Sequence, residues 1–271
     1  MKKLGQTYPT ALVTGGTSGL GLAFCEMLVA EEVKTFSASR NPGKLPDLPE
    51  LHGLQVDLTD LAAVSAWTKD FIEEHGAPDL LINNAGHGAF FEWDQFPVEE
   101  IARQLDLMLH APTLLCRAFA PFMAERGSGG IVNVSSLAVQ YPLPHLPLYN
   151  AAKAGISALS TSLMLEYDKG APFVIDFRPG DFRTPFNEVA SCLEDRATDR
   201  ASRVWSGMKK RLEEAPAPVM AAHKLLKALR RRKSSVVYAG GFIQAKLGPL
   251  LHRIAPSRWL RSFIRSYHGF R

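Results

Sequence analysis

The sequence predicts an α/β domain built on one doubly wound parallel sheet of about seven strands flanked by helices. Three observations carry that expectation. Short β-branched runs alternate with segments of helical period; the runs are continuously apolar, as strands buried on both faces require; and the first run feeds a glycine-rich turn that opens straight into a helix. The strand-like runs fall at 10–15, 33–39, 54–57, 79–84, 130–136, 173–179 and 235–240. Apolar residues recurring at three and four predict helices over 20–31, 61–75, 98–126 and 149–169. The polar, charged segment 185–218 interrupts this alternation and reads as an insertion near a substrate site, its helical content left open.

With 271 residues and 46% hydrophobic content, the chain suits one well-filled core, with the main domain over 1–240 and a basic extension, 241–271, packed on or near it. Cys25, Cys116 and Cys192 lie far apart in or near apolar stretches, so buried thiols are expected and neither a disulfide framework nor a zinc or other metal site follows. No apolar signal core precedes the first strand and no run of eighteen apolar residues occurs, so a cytoplasmic protein is the default expectation. The net charge of +4 hides a split: of 31 basic and 27 acidic residues, twelve basic and no acidic ones follow Glu214, giving about −8 before that point and +12 after it. Such a tail hints at an anionic partner such as a membrane surface, with dimer packing and plain solvation as competing readings.

The first strand runs into Thr14-Gly15-Gly16-Thr17-Ser18-Gly19-Leu20-Gly21. Gly15, Thr17, Ser18, Gly19, Leu20 and Gly21 thus form a turn that lets backbone approach a pyrophosphate at a helix N-terminus, although a glycine turn alone also suits a purely structural role. After the second strand, an enzyme using the unphosphorylated dinucleotide would offer an acidic side chain to the ribose 2′-hydroxyl; here the strand ends Ala38-Ser39-Arg40. Arg40 suits a 2′-phosphate, so NADP(H) is the expected cofactor, against the alternative of a solvated Arg opening a loop.

Tyr149 and Lys153 stand four apart on one helical face, where an ammonium would bring a phenol of ordinary pKa near 10 toward the working range of an acid or base. A bare pair of this kind is common on helix surfaces. Ser136 shifts the balance, because it closes the fifth apolar run where strand ends face the ligand crevice of an open α/β sheet.

The ordered motifs resemble those of the short-chain dehydrogenase/reductase family from Thr10 to about Tyr238. TGGTSGLG matches its TGxxxGxG, Asp57-Leu58 resembles the acidic pair before the adenine pocket, and Asn83-Asn84-Ala85-Gly86 matches its NNAG. Ser136 with Tyr149-Asn-Ala-Ala-Lys153 looks like its catalytic Ser and YxxxK, and Arg178-Pro179-Gly180-Asp181-Phe182-Arg183-Thr184 resembles its PG loop. The resemblance implies a Rossmann-type NADP(H)-dependent oxidoreductase, a carbonyl reductase or alcohol dehydrogenase, with Tyr149 as acid/base. Ser136 would orient the substrate oxygen and Lys153 would lower the Tyr149 pKa and hold the nicotinamide ribose. Asn84, Ala85 and Gly86 would pass close to the cofactor, Pro179, Gly180 and Phe182 would contribute through the PG loop, and Thr184 would meet the carboxamide. It also implies a homodimer or homotetramer through the long central helices.

One departure stands out: Met108 falls where the family usually has an Asn that completes a catalytic tetrad. A thioether cannot replace amide hydrogen bonds, so the relay is either rerouted, through His110 or backbone, or slower. The loop LAVQYPLPHLPL and the aromatic residues Phe90, Phe91 and Trp93 suggest a pocket for a hydrophobic ketone, aldehyde or secondary alcohol. At the end of the chain, Trp259, Leu260, Phe263, Ile264 and Tyr267 form one stripe of a basic amphipathic helix over 256–268. Peripheral membrane contact and packing over the pocket or a dimer partner both accommodate it. A non-catalytic NADP(H)-binding sensor or scaffold is the rival class, and a nucleic-acid arm is disfavoured because the apolar stripe would need burying.

Overall fold

A computed structural model describes residues 2–184, 191–192 and 198–267. The first half runs β1 (Thr10–Thr14), α1 (Gly19–Ala30), β2 (Lys34–Ser39), β3 (Leu51–Gln55), α2 (Leu61–His75) and β4 (Leu80–Asn83). The second half begins with β5 (Ala89–Phe90) and α3 (Val98–Leu105), which passes through a π turn, Asp106–His110, into α4 (Ala111–Glu125). Then come β6 (Gly130–Val134), α5 (Pro147–Glu166), β7 (Phe173–Pro179), β8 (Ser191–Cys192), α6 (Asp199–Glu213), α7 (Pro218–Leu229) and β9 (Ser235–Ala239). A second π turn, Ile243–Leu247, leads to α8 (Gly248–Ile254) and α9 (Ser257–Tyr267).

The main sheet has seven strands in the order β3-β2-β1-β4-β6-β7-β9, and every pairing is parallel. This is the doubly wound Rossmann-type sheet. Strand order reverses between β1 and β4, which opens a crevice beyond their C-terminal ends. Alternation along the strands feeds two cores. Ala11 and Val13 face α1 and α7, packing with Phe24, Leu28 and Leu225; Leu12 faces α2 and α4, packing with Phe71, Leu115 and Phe119. Cys25 and Cys116 are buried, and burial pushes both thiols up to about 12, so neither is a thiolate at neutral pH. The Cys192 side chain lies outside the described residues.

The stretch Val98–Glu125 is long and apolar enough to cross a membrane, but Leu115, Phe119 and Met123 on it are fully buried against the sheet. Its apolar character serves the core.

Three elements differ from the sequence expectation. β3 begins at Leu51 rather than at 54, because an edge strand whose His52 ring lies 5.5 Å from that of Phe36 needs no continuous apolar run. α5 begins at Pro147, whose fixed backbone suits a first helical turn. α7 was not anticipated: its buried face uses Ala221, Ala222, Leu225, Ala228 and Leu229, and alanines barely mark an apolar stripe. Within 185–218, the described portion contains α6, while 185–190 and 193–197 lie outside the described residues.

Candidate active site

Two cavities open beyond the C-terminal ends of the sheet and meet at Tyr149. The first, about 360 Å³, runs from the end of β2 across the β1–α1 turn to Tyr149 and Lys153. Its central turn is held from below. Thr14 Oγ1 accepts hydrogen bonds from the Asn84 and Ala85 amides at 2.9 and 3.0 Å, and Asn84 Nδ2 donates to the Thr14 and Gly15 carbonyls. Gly15 has φ +68°, and a Cβ there would lie 2.9 Å from Ala85 Cα, so the turn accepts only glycine. Thr17, Ser18, Gly19 and Leu20 line the cleft. The first turn of α1 carries no acidic residue and Ser18 makes no side-chain cap, so the helix end presents its amides to an anion.

At the outer end stand Ser39, Arg40, Asp57 and Leu58, as the sequence predicts, joined by Lys44 and Arg103, which it did not single out. Asp57 Oδ1 accepts from the Thr59 amide and hydroxyl at 2.9 and 2.8 Å; that amide bond chiefly, with Arg40 and Arg103 nearby, holds its carboxyl below the usual carboxylate range. Ser39 Oγ is buried beside the cleft without a hydrogen-bond partner among the described residues. An orphaned hydroxyl in the cleft that also holds Arg40, Lys44 and an uncapped helix end fits a dinucleotide carrying phosphates. Arg103 is steadied by Glu100 at 2.9 Å, and the other Glu100 oxygen meets His87 Nε2 at 2.8 Å, which also borders the cleft.

The inner end is formed by Ala85, Gly86, Tyr149, Lys153, Pro179 and Thr184, with Asn84 behind them. Lys153, 5% exposed, donates from Nζ to the Val134 carbonyl at 2.7 Å and lies 5.7 Å from the Tyr149 ring centre. Burial pulls its pKa down to about 8, opposed by the Asp176 carboxylate. Burial pushes the Tyr149 phenol above its ordinary value; its hydrogen bond to Ser136 works against this and Asp181 reinforces it. Lys153 is not among the groups that move the phenol in this arrangement. The phenol is protonated at neutral pH.

Three predicted cofactor residues sit elsewhere. Gly21 does not reach the cleft; it lets α1 press onto the turn, where a Cβ would come 2.1 Å from the Gly15 carbonyl. Gly180 and Phe182 line the second cavity instead, and Phe182 also packs into the core with α1 and α7.

That second cavity, about 430 Å³, is walled mainly by apolar side chains. Ser136 and Tyr149 stand at its inner end, Leu137, Tyr141 and Leu143 supply one side, and Met208 and Leu212 of α6 another. The 137–148 loop and the 185–218 segment thus contribute as the sequence suggested. Phe90, Phe91 and Trp93 do not line it: Phe90 packs on Trp205 at 4.7 Å, Phe91 on Phe96, and Trp93 is exposed. The roof is α9, whose apolar stripe of Trp259, Leu260, Phe263, Ile264 and Tyr267 faces the cavity. Gln244 ties the end of the chain to the site by exchanging hydrogen bonds with Asp181, and the Tyr141 hydroxyl donates to the Gly248 carbonyl.

The family model described as short chain dehydrogenase matches residues 9–192. The chain belongs to this family. Among curated relatives, a 3-ketodihydrosphingosine reductase of Bacteroides thetaiotaomicron is 30% identical over 183 residues, 68% of this chain and 67% of the relative. An uncharacterized oxidoreductase of Schizosaccharomyces pombe is 28% identical over 256 residues, 85% of this chain and 87% of that protein. A short-chain dehydrogenase from Streptomyces avermitilis superimposes with a TM-score of 0.82 at 25% identity, covering 99% of this chain and all of that one. The chain is accordingly an oxidoreductase acting between alcohol and carbonyl groups, and solved neighbours of the same fold hold NAD or NADPH.

In this short-chain dehydrogenase Met108 is 1% exposed on the π turn between α3 and α4. A Cβ placed on Gly86 would lie 3.2 Å from its Sδ and 3.7 Å from Lys153 Nζ, so the thioether stands at the back of the Lys153 site. His110 offers no detour: it is half-exposed and its Nδ1 is 2.7 Å from Asp106 Oδ1. Behind the site, Asp176 is wholly buried. It accepts from Ser135 Oγ, from Ser157 Oγ at 2.7 Å and from Arg178 Nε at 2.8 Å, linking the strand end that carries Ser136 to the helix that carries Lys153. Sequence reasoning missed this group, since its partners come from the end of β6, from α5 and from β7.

Proposed function

We propose that the protein reduces a hydrophobic ketone or aldehyde with NADPH, Tyr149 being the proton donor. The observation that carries this reading is the meeting of the two cavities at Tyr149: a polar, cationic cleft on one side and an apolar chamber on the other, with Ser136 and Lys153 flanking the phenol. Bound in the cleft, the dinucleotide supplies the hydride. Ser136 and Tyr149 take the carbonyl oxygen, and Tyr149 passes its proton to that oxygen as negative charge develops there. A phenol is protonated at neutral pH, and burial raises its pKa further, so Tyr149 starts in the form that reduction needs. Lys153 stays close enough to stabilise the phenolate that remains and to hold the nicotinamide ribose. The apolar walls exclude water from the transfer.

Preference for the phosphorylated cofactor rests on Arg40, supported by Lys44 and the free Ser39 hydroxyl. Arg40→Ala is expected to weaken NADPH binding about 10- to 100-fold, the worth of one or two charge-assisted hydrogen bonds, with NADH binding nearly unchanged. Titration of both cofactors by nucleotide fluorescence measures this, and tighter binding of NADH than NADPH by the native protein overturns the assignment.

Lys153 sets the pH profile. A lysine whose pKa has fallen to about 8 is cationic below that pH and neutral above it, so kcat/KM for reduction should hold below about pH 8 and decline above it. Between the folded value and the ordinary one, the unfolded chain binds more protons at this site, so the contribution of Lys153 to stability rises with pH over the same window. The decline is therefore a loss of charge in a folded protein; parallel circular dichroism should stay native, and an activity profile flat through that window refutes the role.

The exposed apolar side chains Phe122 on α4 and Leu165 on α5 support self-association through the central helices.

A further inference from the structure

The carboxyl-terminal elements bear an exposed apolar surface that runs on from the wall of the second cavity. Ile243, Leu247, Leu250 and Ile254 recur at intervals of four, three and four through the second π turn and α8, and are 69%, 42%, 55% and 71% exposed. Next to them on α9, Trp259 and Phe263 line the apolar cavity yet remain 65% and 56% exposed, which puts them at its rim. The same segments carry Lys246, Arg258, Arg261 and Arg265, all exposed, in a stretch from residue 215 onward that contains no Asp or Glu.

We infer that α8 and α9 dock on the headgroup layer of an anionic bilayer and set the rim of the apolar cavity against the lipid. The inference rests on the proposed reduction of a hydrophobic carbonyl and names its substrate class: a membrane-borne amphiphile whose carbonyl reaches Ser136 and Tyr149 while its apolar chain lies under α9. Three arguments converge on this occupant. An apolar stripe with a one-sign cationic margin matches an interface that offers acyl chains below and negative headgroups above. A second copy seated two-fold on the stripe would bring arginines against arginines, with no carboxylate in the segment to pair them. A nucleic acid would satisfy the arginines but leave the stripe in water. The cavity supplies the functional link, because its rim and the stripe belong to consecutive turns of the same segment.

The test uses the full chain with NADPH bound and vesicles of phosphatidylcholine alone or mixed with phosphatidylserine, at physiological salt. We expect sedimentation with the phosphatidylserine vesicles at least about ten-fold stronger than with phosphatidylcholine alone, and its loss at high salt. Leu250→Ser/Ile254→Ser, at positions that do not line the cavity, should abolish that binding, and Arg258→Gln/Arg261→Gln should weaken it. NADPH binding and turnover of a short water-soluble ketone should be unchanged in both variants, while turnover of a long-chain ketone carried in the anionic vesicles falls with vesicle binding. Absence of binding to phosphatidylserine vesicles, or binding indifferent to these substitutions, overturns the inference. So does a concentration-dependent dimer that Leu250→Ser/Ile254→Ser dissociates in a protein that ignores vesicles, which would assign the stripe to a second copy. Failure to reduce any carbonyl would sink the proposed function alone, since sedimentation is read without turnover.

Discussion

Tyr149→Phe is expected to lower kcat for carbonyl reduction by about 10²- to 10⁴-fold, the usual worth of a positioned general acid, while leaving NADPH binding intact. The substitution removes one oxygen and keeps the ring, which packs beside Leu146 and Leu143 under α6, so the fold has no reason to change. What disappears is the one phenol that lines both cavities among the described residues, the strongest acid among the hydroxyls there. Lys153 is not placed to take over, because it lines the cofactor cleft and not the apolar cavity where the carbonyl would sit. Ser136 cannot either: an aliphatic hydroxyl is a far weaker acid than a phenol, and this one already caps the turn by accepting from the Ala138 amide. Single-turnover oxidation of NADPH across a panel of hydrophobic ketones and aldehydes reads the effect. Turnover within a few-fold of the native protein would remove Tyr149 from the chemistry; unchanged NADPH affinity with no carbonyl turned over by the native protein would favour a cofactor-binding sensor.

The largest expected effect on stability is at Asp176. Asp176→Ala should cost about 3–5 kcal/mol, because it leaves Arg178, whose side chain is 12% exposed, without its counter-charge, takes the carboxylate acceptor from Ser157 and leaves Ser135 only the longer bond to the Phe177 carbonyl. Denaturant unfolding monitored by fluorescence gives the value, and a cost below about 1 kcal/mol would mean that the network is not holding the site. Asp176→Ala/Arg178→Met should recover much of the loss, since removing both charges leaves no buried ion unpaired. A second consequence separates positioning from bulk stability. Ser135 adjoins Ser136, and Ser157 lies one helical turn beyond Lys153, so the double variant should regain stability before it regains kcat.

Much of this was legible in the chain itself. The parallel sheet followed from continuous apolar runs separated by helical period, and the three groups around the phenol followed from spacing: a strand end at Ser136 and one helix face shared by Tyr149 and Lys153. These are local facts, since the geometry of a turn or a helix is set within a few residues. The glycines divided by the same criterion. Gly15 was readable as part of a phosphate turn, but Gly21 turned out to serve the packing of α1 against that turn, and Gly180 and Phe182 belong to the wall of the other cavity.

The sequence by itself determined the order of elements, the crevice at the β1–β4 reversal and the identity of the residues at its centre. Tertiary structure alone decided what surrounds them. Arg103 reaches the cleft from α3, Asp176 gathers partners from β6, β7 and α5, and the chamber beside Tyr149 is closed by α6 and α9 rather than by Phe90, Phe91 and Trp93. Those walls come from segments more than a hundred residues apart, and their meeting is settled by how layers pack on the sheet. No spacing along the chain encodes it.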